Sequence, residues 1–151
     1  MQFQKLTGPP KFDLGEYVKD YLALHSGTDI KIYLGCDSQN RANTTVYATT
    51  VVFHIGETGC HVIYKKEIVP VILDMWTRLW GEAERSVSAA VYLRERGVEI
   101  STIDLDYNDD PSKKSNKLVS AAVGYVESMG FKARIKPDLL PAACAADNIV
   151  N

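Results

Sequence analysis

Residues 30–39, IKIYLGCDSQ, decide how the chain is read. Ile30, Ile32 and Leu34 recur at the two-residue period of a strand with one buried face. An acid then arrives at Asp37, with Gly35 before it and Ser38 and Gln39 after. A sheet holds a carboxylate at a strand end rigidly and still leaves it open to substrate, which suits it to holding a metal ion. The remaining question is which other acids the chain brings back to meet Asp37.

Upstream, Asp13 caps a helix running to about His25, with Leu14, Tyr17, Val18, Tyr21, Leu22 and Leu24 at helical spacing. Residues 1–12, which contain Gly8-Pro9-Pro10, read as an irregular lead-in. The chain thus divides into an N-terminal extension with one helix (1–28) and a core (29–151), together forming one domain.

Downstream, Asn40–Asn43 is a polar turn and Thr44–Ile55 a strand dense in β-branched and aromatic residues. Gly56–Gly59 is a hairpin loop, and Cys60–Val69 returns as a third strand, giving an antiparallel meander. The period turns helical from about Asp74 to Gly97, with Trp76, Trp80, Ala83, Val87, Ala90, Val91 and Arg94 on one stripe. Both tryptophans read as core, because bulky aromatics bury. Val98–Leu105 is a fourth strand, Lys117–Met129 a helix, Phe131–Lys136 a fifth strand and Pro141–Val150 a last helix. The strand–helix–strand crossovers are expected to be parallel and right-handed. The fold class is therefore α/β: a five-stranded mixed sheet, its first three strands antiparallel and its last two parallel, flanked by helices.

Bulk properties narrow the function. No apolar run approaches the ~20 residues of a membrane helix, so no membrane partner is expected. The amino terminus lacks a signal peptide's apolar stretch, which points to the cytoplasm. Cys36, Cys60 and Cys144 have no CxxC spacing and read as buried, reduced thiols, and His25, His54 and His61 show no paired spacing, which argues against zinc. A net charge of −2 argues against a surface that grips nucleic acid all over, though not against a local basic track.

The acids recur in similar settings. Asp37 ends the first core strand, Glu82 and Glu84 lie on the long helix, Asp104 and Asp106 end the fourth strand, Asp138 follows the fifth, and Asp147 sits in the last helix. If the first and fourth strands are parallel, Asp37 and Asp106 finish side by side. Crowded carboxylates repel unless a cation neutralises them. Oxygen ligands without histidine or cysteine suit Mg²⁺ or Mn²⁺. Two such ions roughly 4 Å apart serve in-line phosphoryl transfer. Taken singly, a strand-end Asp is more often a turn former and a helical Glu a solvated residue. The helical wheel does not separate Glu82 from Glu84, which flank the apolar stripe on opposite sides.

GCDSQ is similar to the first-strand motif of the ribonuclease H superfamily, and the element order from about Ile30 onward matches its β-β-β-α-β-α-β-α order. AADNIV resembles the segment that carries the superfamily's last acid. More narrowly, GCDSQ, RLWGEAERSV, IDLDYN, ESMGF and IKPD together resemble the YkuK-type ribonuclease-H-like family. The resemblance implies Asp37 as central metal ligand, Glu82 (or else Glu84) as helix acid, and Asp106 as strand acid with Asp104 as competitor. It implies Asp147, through AADNIV, or Asp138, through IKPD, as the fourth acid. The chain departs from ribonuclease H itself in lacking a basic handle insertion and a histidine before the last helix.

A nucleic-acid partner (RNA, an RNA–DNA hybrid or structured DNA) needs phosphate contacts. Lys113, Lys114 and Lys117, with Lys132, Arg134 and Lys136 at a period of two, are candidates for that track. Lys113 and Lys114 read equally well as a solvated helix start. The expected function is a Mg²⁺- or Mn²⁺-dependent nuclease, and the alternative is a non-catalytic nucleic-acid-binding or adaptor module on the same fold. The sequence leaves the oligomeric state open.

Overall fold

A computed structural model describes residues 1–56, 59–108, 112, 116–136 and 141–150. The elements run β1 (Gln2–Lys5), β2 (Gly8–Asp13), α1 (Leu14–Leu24), β3 (Ile30–Arg41), β4 (Thr44–Ile55), β5 (Gly59–Pro70), α2 (Met75–Arg94), β6 (Thr102–Asn108), α3 (Asn116–Ser128), β7 (Ala133–Lys136) and α4 (Pro141–Val150). The strands form one mixed sheet in the order β2-β1-β5-β4-β3-β6-β7. β3, β4 and β5 are the antiparallel meander; β6 runs parallel to β3, and β7 to β6.

The expected five strands become seven, because the supposed lead-in is a hairpin. β1 pairs antiparallel with β5 and with β2. Phe3 is buried in the core, which anchors the segment. The prolines that suggested irregular chain lie on β2, the outermost strand, where a missing ladder N–H costs little.

Side-chain alternation divides the sheet into two faces. Ile32, Leu34, Val51, Phe53, Ile63, Ile103 and Leu105 face α1, α2 and α3, joining Leu14, Val18, Ala83, Val87, Leu93, Ala122 and Val126 in the main core. On the other face, Val46 and Ala48 of β4 meet Ala146 and Val150 of α4, which present one apolar edge at a spacing of four. Thr50 Oγ1 donates to the Ala142 carbonyl at 2.7 Å and Arg41 donates to that of Val150, so both ends of α4 are tied to the sheet.

One strand boundary and two expected burials change. Cys60, expected to be buried, is exposed near the start of β5. Gly97, at φ +81°, and the Val98 N–H to Leu93 carbonyl bond end α2's C-terminal turn, so residues 98–101 are a connection and β6 begins only at Thr102. Trp76 is 39% exposed because it lies in the first turn of α2, ahead of the buried stretch that opens at Gly81. Trp80 does pack, its ring 5.3 Å from that of Tyr125.

Asp13 both ends β2 and caps α1. It accepts the Glu16 N–H at 3.1 Å and the hydroxyl of Tyr92 on α2, so one carboxylate fastens the hairpin and first helix to the long helix. The Tyr92 bond, and then the Glu16 amide, hold its pKa down to about 2. A depressed acid stabilises the fold above its unfolded pKa and loses that contribution as pH falls through its folded value. Asp13→Ala is therefore expected to cost about 2 kcal/mol in denaturant unfolding at pH 7. Its deficit from the parent should shrink as pH falls from about 4 toward 2.

Candidate active site

The parallel pairing of β3 with β6 places the acids. Gly35 stands opposite Asp104, the last pair before the two strands part. Two residues further on each strand, on the same face, lie Asp37 and Asp106. Ile103 and Leu105 point into the main core, so the intervening Asp104 and Asp106 point to the α4 face.

Glu82 comes from α2. It is 3% exposed and accepts the Ser38 hydroxyl at Oε2, 2.5 Å away. Arg78, one helical turn earlier, donates to both the Ser38 carbonyl (3.1 Å) and Oγ (2.8 Å), fixing that serine. Gly81 allows the approach: a Cβ there would sit 2.5 Å from the hydroxyl of Tyr47, which is itself fully buried and donates to the Arg78 carbonyl. Glu84 is exposed, so of the two helix acids only Glu82 turns inward. Burial first, and the charge of Asp37 second, push the Glu82 carboxyl well above its ordinary pKa. The Ser38 bond and Arg78 oppose that shift, and Asp106 adds to it. Asp37, half-buried, accepts the Ser38 N–H at Oδ1, 2.9 Å away. Asp37, Glu82 and Asp106 thus share one field.

Asp104 and Asp106 are used differently. Asp104 is 1% exposed and fully engaged. Arg134 donates to it through Nε (3.1 Å) and Nη2 (3.3 Å), the Thr102 hydroxyl donates at 3.1 Å, and the Ala142 N–H donates at 3.0 Å. It thereby caps the start of α4 and ties β6 to β7. Burial still raises its pKa, against those partners. Asp106 is different: Lys136 Nζ lies 2.6 Å from its Oδ1, but that buried oxygen receives no hydrogen bond of acceptable geometry among the described residues.

The expected basic track is therefore only partly a track. Arg134 and Lys136 do share one face of β7, and that face turns to the acids of β6, where the register sets Asp104 opposite Arg134. Lys132 and Lys117 are exposed. Lys31, Tyr33, Arg94, Lys132 and Arg134 help line a cleft of about 580 Å³ at the starts of β3, β6 and β7, the end of these strands away from Asp37 and Asp106. Lys113, Lys114 and Asp138 lie outside the described residues, as does the side chain of Asp147; its helix packs on β3 and β4, across the face that carries Asp37.

Ser38, Arg78 and the Asp104–Arg134 pair were not singled out from the sequence. Arg78 does stand four residues before Glu82 in RLWGE, a spacing that puts the two on one helix face.

The donor set fits a hard divalent ion in kind: three carboxylates, one with an orphaned buried oxygen. Among the described residues, no three His, Cys, Asp or Glu side chains are gathered closely enough to hold an ion. A bound ion would have to draw these acids together, with Asp138 or Asp147 as further donors. No helix among the described residues is long and apolar enough to cross a membrane.

A family model described as Ribonuclease H-like matches residues 13–151. Neither a curated protein nor a solved structure matches the chain.

The two buried acids should respond oppositely to neutralisation in the absence of divalent ions. Glu82→Gln keeps an acceptor for Ser38 and removes a poorly compensated charge. Its unfolding midpoint should rise by about 3–6 °C in a thermal scan with chelator. Asp104→Ala strands Arg134 and uncaps α4, and should lose about 3 kcal/mol in denaturant unfolding.

Proposed function

Because the chain belongs to the ribonuclease H-like family, we propose that it is a divalent-metal-dependent nuclease that hydrolyses phosphodiester bonds of RNA, an RNA–DNA hybrid or structured DNA. The observation that carries this reading is the shared field of Asp37, Glu82 and Asp106 around the orphaned Oδ1 of Asp106. Glu82 in particular is buried against like charges, which disfavours its ionised form until a further cation joins the group.

In this reading Asp37 and Asp106, from adjacent parallel strands, and Glu82, from α2, hold Mg²⁺ or Mn²⁺, with Asp138 or Asp147 as the fourth acid. The ions, when bound, would supply an activated water and neutralise the leaving oxygen. The chain's own part is positioning. Arg78 fixes Ser38, Ser38 fixes one oxygen of Glu82, and the Ser38 N–H fixes one oxygen of Asp37. The exposed Lys117, at the start of α3, offers a phosphate contact, and Lys31 and Lys132, on the cleft at the far end of the parallel strands, would meet only a more distant part of a bound strand. Arg134 contributes by holding Asp104 and α4 in place.

One observation favours a second reading, a nucleic-acid-binding module without turnover. Arg134 and Lys136 already balance Asp104 and Asp106 without any metal. The two readings separate in a cleavage assay on RNA, hybrid and branched DNA with Mg²⁺ or Mn²⁺. The nuclease reading expects metal-dependent cleavage that falls by about 10³-fold or more in Asp37→Asn while circular dichroism stays unchanged. The binding-module reading expects metal-insensitive binding and no cleavage.

A further inference from the structure

We propose that Lys136 is a built-in cation that competes with the divalent ion for Asp106 and so sets the protein's metal affinity. The inference rests on the metal-site reading of Asp37, Glu82 and Asp106. Its grounds are geometric. Lys136 Nζ lies 2.6 Å from Asp106 Oδ1, the one buried side-chain oxygen without a hydrogen bond among the described residues. The contact joins two opposite full charges at the oxygen that a divalent ion would also need. Lys136 is the last residue of β7, and its side chain is half exposed to solvent. Arg134, two residues earlier, is held more deeply: its guanidinium forks onto a fully buried Asp104 and lies 4.6 Å from the centre of the Tyr33 ring. The basic stripe thus divides by role, Arg134 serving the fold and Lys136 the metal site.

Two consequences follow for a variant that removes the lysine's charge. Without metal, Asp106 then faces Asp37 and Glu82 without the lysine's charge, and the fold weakens. With metal, no ammonium has to be displaced, and the ion binds more tightly. A change at an ordinary surface lysine would produce neither.

The test is a Mn²⁺ titration of the full-length chain followed by thermal unfolding and by calorimetry. The proteins are the parent, Lys136→Met, Lys136→Gln, Lys132→Met and Asp37→Asn. Both Lys136 variants are expected to melt below the parent in chelator and to bind Mn²⁺ about tenfold more tightly. Lys132→Met, which removes a charge from the same edge, should stay within about twofold of the parent. The proposal is overturned if the Lys136 variants bind Mn²⁺ no more tightly than the parent, or if Lys132→Met tightens it equally. If the parent then still binds Mn²⁺ and Asp37→Asn does not, the metal-site reading survives alone. If no protein in the set binds Mn²⁺, both fall together.

Discussion

Like charges held in a shared, partly dry site repel, and the fold near Asp37 is arranged around that repulsion. Glu82 is almost wholly buried with Asp37 and Asp106 in its field, so its charged form is disfavoured twice over. Such an arrangement persists only if the scaffold over-determines it. Gly81 lets α2 close onto the ring of Tyr47, and Arg78 and Ser38 then hold the carboxylate from the other side. Stability of this kind comes from the surroundings of the site and not from the site itself.

Those surroundings are built largely from a second set of charges that balance. On the α4 face, the acids of β6 meet the bases of β7 across one register of parallel pairing. The inner pair, Asp104 with Arg134, is saturated with hydrogen bonds and also receives the first turn of α4. The outer pair, Asp106 with Lys136, is looser and more exposed. Moving along β6 from Asp104 to Asp106 is therefore moving from a saturated, buried ion pair to a partly exposed one. That gradient separates two acids only two residues apart, of the same type and on the same strand face.

Much of this was legible in the sequence. The alternation before Asp37 and the two crossover helices were enough to bring Asp37 and Asp106 to one edge, because parallel strands carry their ends to the same side. α4 was also legible, from Pro141 through Val150, where small and apolar residues recur at helical spacing. The parts that were not legible depend on partners far away in the chain. Glu82 and Glu84 look alike on a helical wheel, and only the closeness of Gly81 to Tyr47 turns one inward. Two prolines made residues 1–12 look irregular, although an edge strand tolerates them and Phe3 needed a core to enter. The two-residue period of Lys132, Arg134 and Lys136 was evident, but a single strand does not reveal that its neighbour presents aspartates in step.

The most direct test of the account is a crystal structure grown in Mn²⁺, with anomalous scattering collected to locate the ion. The account predicts a peak about 2.0–2.2 Å from carboxylate oxygens of Asp37 and Asp106. It also predicts Glu82 on the same ion or its water, and Lys136 turned away from Asp106. Full Mn²⁺ in the crystal with no peak among these acids, and Lys136 still seated on Asp106, would contradict it.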